Sequence, residues 1–312
     1  MLADRRTPGP VRLLAGAGLL ACGAAGAPVH AQNIEPRAYA PAPTGVNFLV
    51  LAYVGTRGGL STDNSTPLKD PHLAVQGPIL GYARTFGLLG QLAKFDAIVP
   101  SARLSGSATF QGQPVERQVS GLMDPLVRLS VNLVGSPALA LEEFRSYRQD
   151  VIVGASLQVS LPLGQYDNTR LVNLSANRWA FHPEIGVSKA MDRWVLELAT
   201  GAVLYTTNKD FFGGQHRHQD PILTARANAI YNFRSGPWLS VDTSYFTGGE
   251  TTLDGRPENN LQRNWRVGTT FAYPVNPSVS VKLNASRGVS ARTGNNFDLL
   301  GVALQYRWGG GL

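Results

Sequence analysis

Apolar and polar residues alternate along much of this chain, and the alternation is strictest near its end. From Leu300 to Trp308, every second residue is a large apolar or aromatic side chain. The residues between them are Gly301, Ala303, Gln305 and Arg307. A period of two predicts a β-strand whose two faces meet different surroundings.

Twelve segments of this kind can be placed along the chain. Their approximate spans are 46–56, 76–86, 92–104, 122–134, 149–162, 178–189, 194–207, 221–234, 238–248, 263–274, 278–289 and 297–308. The first two are the least regular, because "FLVLAYV" is apolar on both faces. Alternating strands also occur in soluble β-sandwiches, so the segments alone leave two architectures open.

The connectors between the segments alternate in length. Long ones such as "TRGGLSTDNSTPLKDPHLAVQ" are followed by short ones such as "GLLG", "AMDR", "RSGP" and "VNPS". Transmembrane β-barrels have short periplasmic turns, longer extracellular loops and an even number of strands, whereas a sandwich has no reason to alternate in this way. The sequence therefore predicts an all-β fold, a transmembrane antiparallel up-and-down β-barrel of about 12 strands.

The connector 135–149 is the exception, because it should be a short turn and is long. Its Leu139, Leu141, Phe144 and Tyr147 predict a brief amphipathic helix against the periplasmic rim of the barrel.

Aromatic residues on the apolar face fall near the two ends of the segments. Those near the periplasmic ends are Trp194, Tyr231, Phe233, Tyr273, Tyr306 and Trp308. Those near the outer ends are Trp179, Phe181, Tyr245 and Trp265. Strands favour aromatic residues in general, but that preference does not predict clustering at strand ends. We interpret these residues as two belts at the membrane interfaces.

The opposite face collects polar and charged residues that lipid would not tolerate. The candidate lumen-lining residues are Asp96, Arg128, Gln158, His182, Glu184, Glu197, Arg226, Asp242, Arg266, Lys282 and Arg307. They fit two interpretations. One is a network of salt bridges that supports the wall, and the other is a pathway for a small solute. A barrel of this size lies between the filled eight-stranded kind and the wide porins.

The N-terminus has the features of an export signal. A basic stretch is followed by the apolar run "LLAGAGLLACGAAGA", which is short for a helical membrane span. Small residues before Gln32 predict cleavage after Ala31, and lipid attachment at Cys22 is the alternative. The predicted organisation is a signal peptide at 1–31, a periplasmic lead-in at 32–45, the barrel at 46–308 and a tail at 309–312. The expected location is the outer membrane of a Gram-negative bacterium.

The composition of the chain mainly argues against several classes of binding site and catalytic site. The net charge is +7, but the charges are spread out, so no nucleic-acid-binding patch is expected. The single cysteine, Cys22, excludes a Cys-based zinc site. His216 and His218 form an "HRH" pair in an outer connector without a second ligand cluster, and His182 has no serine two residues on. No "GxSxG" elbow occurs. We therefore expect no enzyme, metal or cofactor.

Three stretches carry a resemblance to a known family. They are "NIEPRAYAPAPTGVNFLVLAYVGTRGGLSTD", "YRQDVIVGASLQVSLPLGQYDNTRLVNLSANRWAFHPEIGVSKAM" and "GVSARTGNNFDLLGVALQYRWGGGL". They resemble the outer-membrane proteins named for the MetA-pathway of phenol degradation. The resemblance implies a transporter-like barrel that takes up small hydrophobic or aromatic molecules, and it supplies no catalytic residues.

Three functional hypotheses follow. The first is a passive outer-membrane channel for small, aromatic or hydrophobic solutes. The second is a barrel without transport that acts as a structural or adhesive surface protein. The third, an outer-membrane lipid enzyme, would depend on His182. The expected partners are outer-membrane lipids, a small-molecule solute and the barrel assembly machinery.

We predict that Trp308→Ala reduces insertion into the outer membrane. Terminal strands of such barrels commonly carry spaced aromatics as an assembly signal, although "GGGL" follows the aromatic here. The measurement is the heat-modifiable fraction on gels of outer-membrane preparations. An unchanged fraction would contradict the prediction.

Overall fold

The computed structural model describes residues 36–60, 68–110, 113–292 and 295–312, and these form a closed antiparallel barrel of twelve strands. The barrel strands are β1 (Val46–Leu60), β2 (Leu68–Leu88), β3 (Gln91–Phe110), β5 (Leu126–Val134), β6 (Val151–Ser160), β7 (Ala180–Met191), β8 (Trp194–Tyr205), β11 (Ile222–Asn232), β12 (Trp238–Gly248), β15 (Gln262–Pro274), β16 (Val279–Ala291) and β17 (Asn295–Gly309). The shorter strands, outside the barrel wall, are β4 (Gln113–Leu122), β9 (Asn208–Phe211), β10 (Gln215–Gln219), β13 (Thr251–Leu253) and β14 (Arg256–Pro257). The twelve predicted segments each coincide with one barrel strand, so the predicted fold is confirmed.

The first and last strands close the barrel. Pairing of β1 with β17 runs from Val46 opposite Gly309 to Leu60 opposite Asn295. On its other side β1 pairs with β2, and β2 pairs with β3. Because every barrel strand has two neighbours, the wall has no open edge in the membrane.

The outer face of the wall is apolar. On β17 the alternate residues Leu300, Val302 and Leu304 are exposed on the outside, whereas Ala303 and Gln305 are buried. Large apolar side chains that face out in this way along every barrel strand would be unfavourable in water and are favourable in lipid.

Several outer connectors contain β-structure that the sequence pattern did not predict. β3 continues beyond the membrane and forms a hairpin with β4, in which Ser101 lies opposite Leu122 and Phe110 opposite Gln113. Strands β9, β10, β13 and β14 form a separate four-stranded sheet above the barrel. These strands are short and mostly polar, so they lack the apolar face from which the barrel strands could be recognised.

The long periplasmic connector contains the predicted brief helix, α1 (Leu141–Phe144). Leu141 is buried, and the ring of Phe144 stacks on that of Tyr147 at a centroid distance of 5.7 Å. Within the described ranges, no helix has the length and apolar character needed to cross a membrane.

The inner face of β1 explains why its sequence is apolar on both sides. Phe48, Val50, Ala52 and Val54 point inward and pack against Ile79, Ile98 and Leu126 on β2, β3 and β5. We call this interior cluster the apolar lane. It consists of Val46, Phe48, Val50, Ala52, Val54, Ile79, Ala83, Ile98, Leu126 and Ala303.

We predict that cysteines replacing Ala52 and Ala303 form a disulfide across the closing seam. The two residues are register partners and both face inward, and opposed residues of an antiparallel pair are close enough for a disulfide. The readout is a reducible mobility shift of the unfolded protein on gels. The pair Ala52→Cys with Val302→Cys is the control, because Val302 faces outward. Failure of the first pair to cross-link, or equal cross-linking of both pairs, would contradict this seam.

Candidate functional site

The predicted lumen-lining residues all lie on the inner face of the wall. They are Asp96 on β3, Arg128 on β5, Gln158 on β6, His182 and Glu184 on β7, Glu197 on β8, Arg226 on β11, Asp242 on β12, Arg266 on β15, Lys282 on β16 and Arg307 on β17. Six of the eleven are buried although they face the lumen, so this part of the lumen is packed with polar side chains and is not a wide water-filled pore.

Opposite charges pair along one side of this interior. The Asp96 carboxylate accepts a hydrogen bond from Arg128 Nε at 2.9 Å, and Lys94 Nζ lies 3.7 Å from its other oxygen. Glu184 and Arg226 form a second pair with an N–O distance of 2.6 Å. Buried ion pairs of this kind avoid the high cost of an isolated buried charge.

Two of the predicted residues flank these pairs. Gln158 lies opposite both Arg128 and His182 in the strand register. His182 Nε2 lies 3.3 Å from the Thr224 hydroxyl, on the inner side of the wall. We call the pairs and these neighbours the charged wall.

Residues 36–45, which precede β1, lie inside the barrel and will be called the lumen segment. Tyr39 is its central contact, because its hydroxyl donates to Glu184 Oε1 at 2.9 Å and lies 3.3 Å from the Ser156 hydroxyl. Its ring rests on Gly154 and Gly186 so closely that a Cβ atom at either position would come within 2.2 Å or 2.5 Å of the ring. The two glycines therefore provide the space in which the ring packs.

Arg37 anchors the segment on the other side of the lumen. Its backbone amide donates to Glu197 Oε2 at 2.8 Å, and Asn228 donates to the same oxygen at 2.9 Å. Its guanidinium donates to Asn232 and lies 4.8 Å from the ring centroid of Trp238. A cation over the face of a tryptophan ring gains further stabilisation from the ring quadrupole.

Wall residues also hold the segment near β2 and β5. Thr85 donates to the Pro43 carbonyl at 2.7 Å, and Asn132 donates to the Tyr39 carbonyl at 3.2 Å. A cavity of only about 20 Å³ separates the segment from the wall here. That space is about large enough for one water molecule, so the lumen segment packs closely on this side.

The outer mouth is covered on the β3–β5 side by the connector 161–179. Asp124 accepts hydrogen bonds from the amides of Gly164 at 3.0 Å and Ala176 at 2.8 Å, and so holds both ends of this connector. Leu174, which is buried, packs with Leu104 and Phe297 beneath it. At the exposed tip, hydrogen bonds from the Thr169 hydroxyl and amide lower the pKa of Asp167.

Three further predicted residues lie apart from the ion pairs. Arg266 is buried in the outer half, where its guanidinium lies 3.8 Å from the Phe297 ring centroid and donates to the Phe297 carbonyl and to Ser286. Lys282 and Arg307 lie at the periplasmic end. They border a cavity of about 620 Å³ between the wall, the turns and α1, which we call the periplasmic vestibule.

The predicted interface aromatics form clusters on the outer face. Trp194, Tyr231 and Phe233 follow one another with centroid distances of 5.0 Å at the periplasmic end, where Tyr306 also stacks on Trp308 at 5.5 Å. At the outer end Trp179 stacks on Phe181 at 6.4 Å and Tyr245 contacts Trp265 at 4.8 Å. Tyr273 is exposed at the periplasmic end of β15.

The lumen segment was missed by sequence reasoning. Its residues lie in a Pro- and Ala-rich stretch without periodicity, and neither Arg37 nor Tyr39 carries a local signal. The predicted signal peptide and Cys22 lie outside the described residues. His216 and His218 lie on β10, where His218 Nε2 is 3.7 Å from Asp220. In the portion of the chain described, no three His, Cys, Asp or Glu side chains are grouped so that they could hold a metal.

The family model described as "Putative MetA-pathway of phenol degradation" matches residues 55–307. The chain belongs to this family. The match to the MetA-pathway family covers ten of the barrel strands in full, together with the last part of β1 and β17 as far as Arg307, which agrees with the resemblance drawn from the sequence. No curated protein matches the chain.

A solved structure gives the same fold. An outer membrane channel from Pseudomonas putida F1 is similar to this member of the MetA-pathway family with a TM-score of 0.73 at 19% identity, covering 88% of this chain and 100% of that chain. The transport unit of the autotransporter AIDA-I from Escherichia coli has a TM-score of 0.48 at 8% identity, covering 86% and 92% of the two chains. A closed barrel with an apolar, aromatic-belted outer face lies in the outer membrane of a Gram-negative bacterium, surrounded by its lipids.

We predict that Gly186→Ala displaces the lumen segment. The new methyl group would overlap the Tyr39 ring, and overpacking of this kind costs about 1–3 kcal/mol. In a variant that also carries Ala38→Cys, maleimide labelling of the buried position should become roughly tenfold faster, as expected for an opening eased by about 1.4 kcal/mol.

Gly55→Ala is the matched control, because a Cβ at Gly55 has no atom within 4 Å and labelling should not change. Equal labelling rates in the two backgrounds would show that the glycine does not hold the segment in place.

Proposed function

We propose that this protein is a passive channel for small solutes with aromatic or hydrophobic parts. The observation that carries the proposal is the uneven lumen, in which the apolar lane of β1 and its neighbours faces the charged wall of β5–β11. Such a lumen offers apolar contact to one side of a solute and hydrogen bonds to the other. The MetA-pathway family and the channel from Pseudomonas putida F1 support the same conclusion.

In this proposal the lumen segment sets the width of the path. It contacts β2, β5, β6, β7, β8, β11 and β12, and a cavity of about 620 Å³ lies on the β15–β17 side. Solutes therefore pass beside the segment or after its displacement, and flux is limited to small molecules.

A catalytic role receives no support from the geometry of His182. The ring lies inside the wall beside Thr224, whereas a phospholipid hydrolase acts where its residues reach the lipid boundary. A surface-interaction role has one supporting feature, the four-stranded sheet of β9, β10, β13 and β14 outside the barrel. We propose transport as the main function, with insertion by the barrel assembly machinery.

The test is flux into proteoliposomes that contain the full mature chain. Arbutin, an aromatic glucoside that crosses lipid slowly, is compared with methyl glucoside, which lacks the ring. We expect both sugars to enter the proteoliposomes. The ratio of arbutin flux to methyl glucoside flux should be higher in the unmodified protein than in Val50→Asn, which interrupts the apolar lane. Gly186→Ala should raise the flux of both sugars.

Val241→Asn is unsuitable as a control because it would expose a polar group to lipid. His216→Ala is suitable, because His216 is exposed in the outer sheet and its change should leave both fluxes as they are. Absence of flux for both sugars in correctly folded protein would refute the channel, and the surface-interaction role would then be the better account.

A further inference from the structure

Three exposed arginines lie on the outward side of the adjacent strands β15, β16, β17 and β1. They are Arg57 on β1, Arg263 on β15 and Arg287 on β16, and each is on the same face as the exposed apolar residues of its strand. We call them the outer arginine patch. Among the described residues of these four strands, Asp298 is the only one with a carboxylate side chain, and it faces outward as well. The outward side of this part of the wall therefore has an excess of positive charge.

The height of the patch follows from the aromatic belts and the strand register. On β15, Trp265 belongs to the outer belt and Tyr273 to the periplasmic belt, and Arg263 lies two residues beyond Trp265. Register pairs connect Tyr273 through β16 to Leu304 on β17, whereas the belt residue Tyr306 is two residues closer to the periplasm. Register partners therefore rise toward the outer surface on passing from β15 to β17.

Arg287, Asp298 and Arg57 follow one another in this register. Arg287 lies opposite Val267 on β15. Asp298 lies opposite both Arg287 and Arg57. Val267 is the next outward residue below Trp265, so the three side chains start just below the outer belt and rise to it or beyond it at β1. Because neighbouring strands are about 4.8 Å apart, the two arginines are separated by about 10 Å along the surface.

The ion pair within the patch does not neutralise it. Arg287 donates to the two Asp298 carboxylate oxygens at 3.1 Å and 3.2 Å. The two side chains are 71% and 62% exposed, and so exposed a pair contributes little to stability. One carboxylate cannot balance three guanidinium groups, so the patch attracts anions at this height of the membrane.

We propose that the outer arginine patch binds the phosphate groups of a phosphorylated glycolipid in the outer leaflet. A guanidinium group binds phosphate oxygens through two parallel hydrogen bonds. Below the patch, the exposed side chains of Leu283 on β16 and of Leu300 and Val302 on β17 contact the acyl chains of the same molecule. A free phosphate ion gains nothing from these apolar residues, so a lipid fits both parts of the surface.

Binding is measured by native mass spectrometry of the full mature chain in detergent. The probes are lipid A with two phosphate groups, its monophosphorylated form and its dephosphorylated form. We expect the affinity to fall at each step, by about tenfold or more in total, because charge-assisted hydrogen bonds to phosphate are lost. Equal affinities for the three lipids would overturn the proposal.

Variants then assign the site. Arg57→Gln and Arg287→Gln should each weaken the binding of bisphosphorylated lipid A by about threefold to tenfold and leave the dephosphorylated form unchanged. They are tested separately, so that either stays informative if the other impairs folding. Lys189→Gln is the matched control, because Lys189 is exposed and pairs with Asp150 at the periplasmic end. An equal loss in Lys189→Gln would show attraction to any cation and would contradict a site at the patch.

Asp298→Asn separates phosphate binding from a structural role of the ion pair. It breaks the pair with Arg287 and removes a negative charge, so the binding of lipid A should stay the same or become tighter. A loss equal to that in Arg287→Gln would mean that the pair supports the strands, and the phosphate site would then be wrong. Inorganic phosphate is the last probe. If it displaces lipid A at concentrations similar to that of the lipid, the patch binds free anions and the lipid proposal fails.

Discussion

The pairing of β1 with β17 satisfies the backbone N–H and C=O groups of the first and last barrel strands at a depth where no water could do so. The barrel closes only if β1 pairs with β17 across the whole membrane. β1 is apolar on both faces, so its inner face is apolar as well. The outer apolar side chains of β1 contact lipid, so its inner apolar side chains must pack against other apolar side chains inside the barrel. The apolar lane supplies these side chains, with Phe48 and Val50 packing against Ile79 and Ile98. Closure in lipid thus determines where the lumen has its hydrophobic core.

The other side of the lumen follows from the same geometry. Because the apolar lane offers no polar groups, the polar side chains on β5–β12 must form their hydrogen bonds and ion pairs with one another or with the lumen segment. Glu184 is an example, because its carboxylate forms an ion pair with Arg226 and accepts a hydrogen bond from the Tyr39 hydroxyl. Arg226 reaches Glu184 across β8, because Gly201 and Ala199 between them have small side chains that leave space on the inner face of the wall. The glycines of the wall therefore give space to the Tyr39 ring in one place and to a salt bridge in another.

The barrel could be predicted from the sequence because lipid imposes one simple rule on every strand. Outward residues such as Leu300 and Val302 must be apolar, and that regularity survives in a single sequence. The interior follows no such rule. Tyr39 sits in a stretch without periodicity, and nothing in the sequence connects it to Gly186, almost 150 residues away. The outer hairpin of β3 and β4 was missed for a related reason, since water on both sides removes the alternation.

The distribution of charge in the lumen follows the access of water. At the level of Asp96 and Arg128, where both side chains are buried, an unpaired ion would cost several kcal/mol in desolvation, and the ions occur in pairs. Toward the periplasm Arg307 is half-buried and Arg145 is exposed, so a cation there keeps much of its hydration. An ionised side chain that stays partly hydrated depends less on a partner of opposite charge. The pairing of charges in the lumen is therefore strictest at the level of Asp96 and Arg128, where water has the least access.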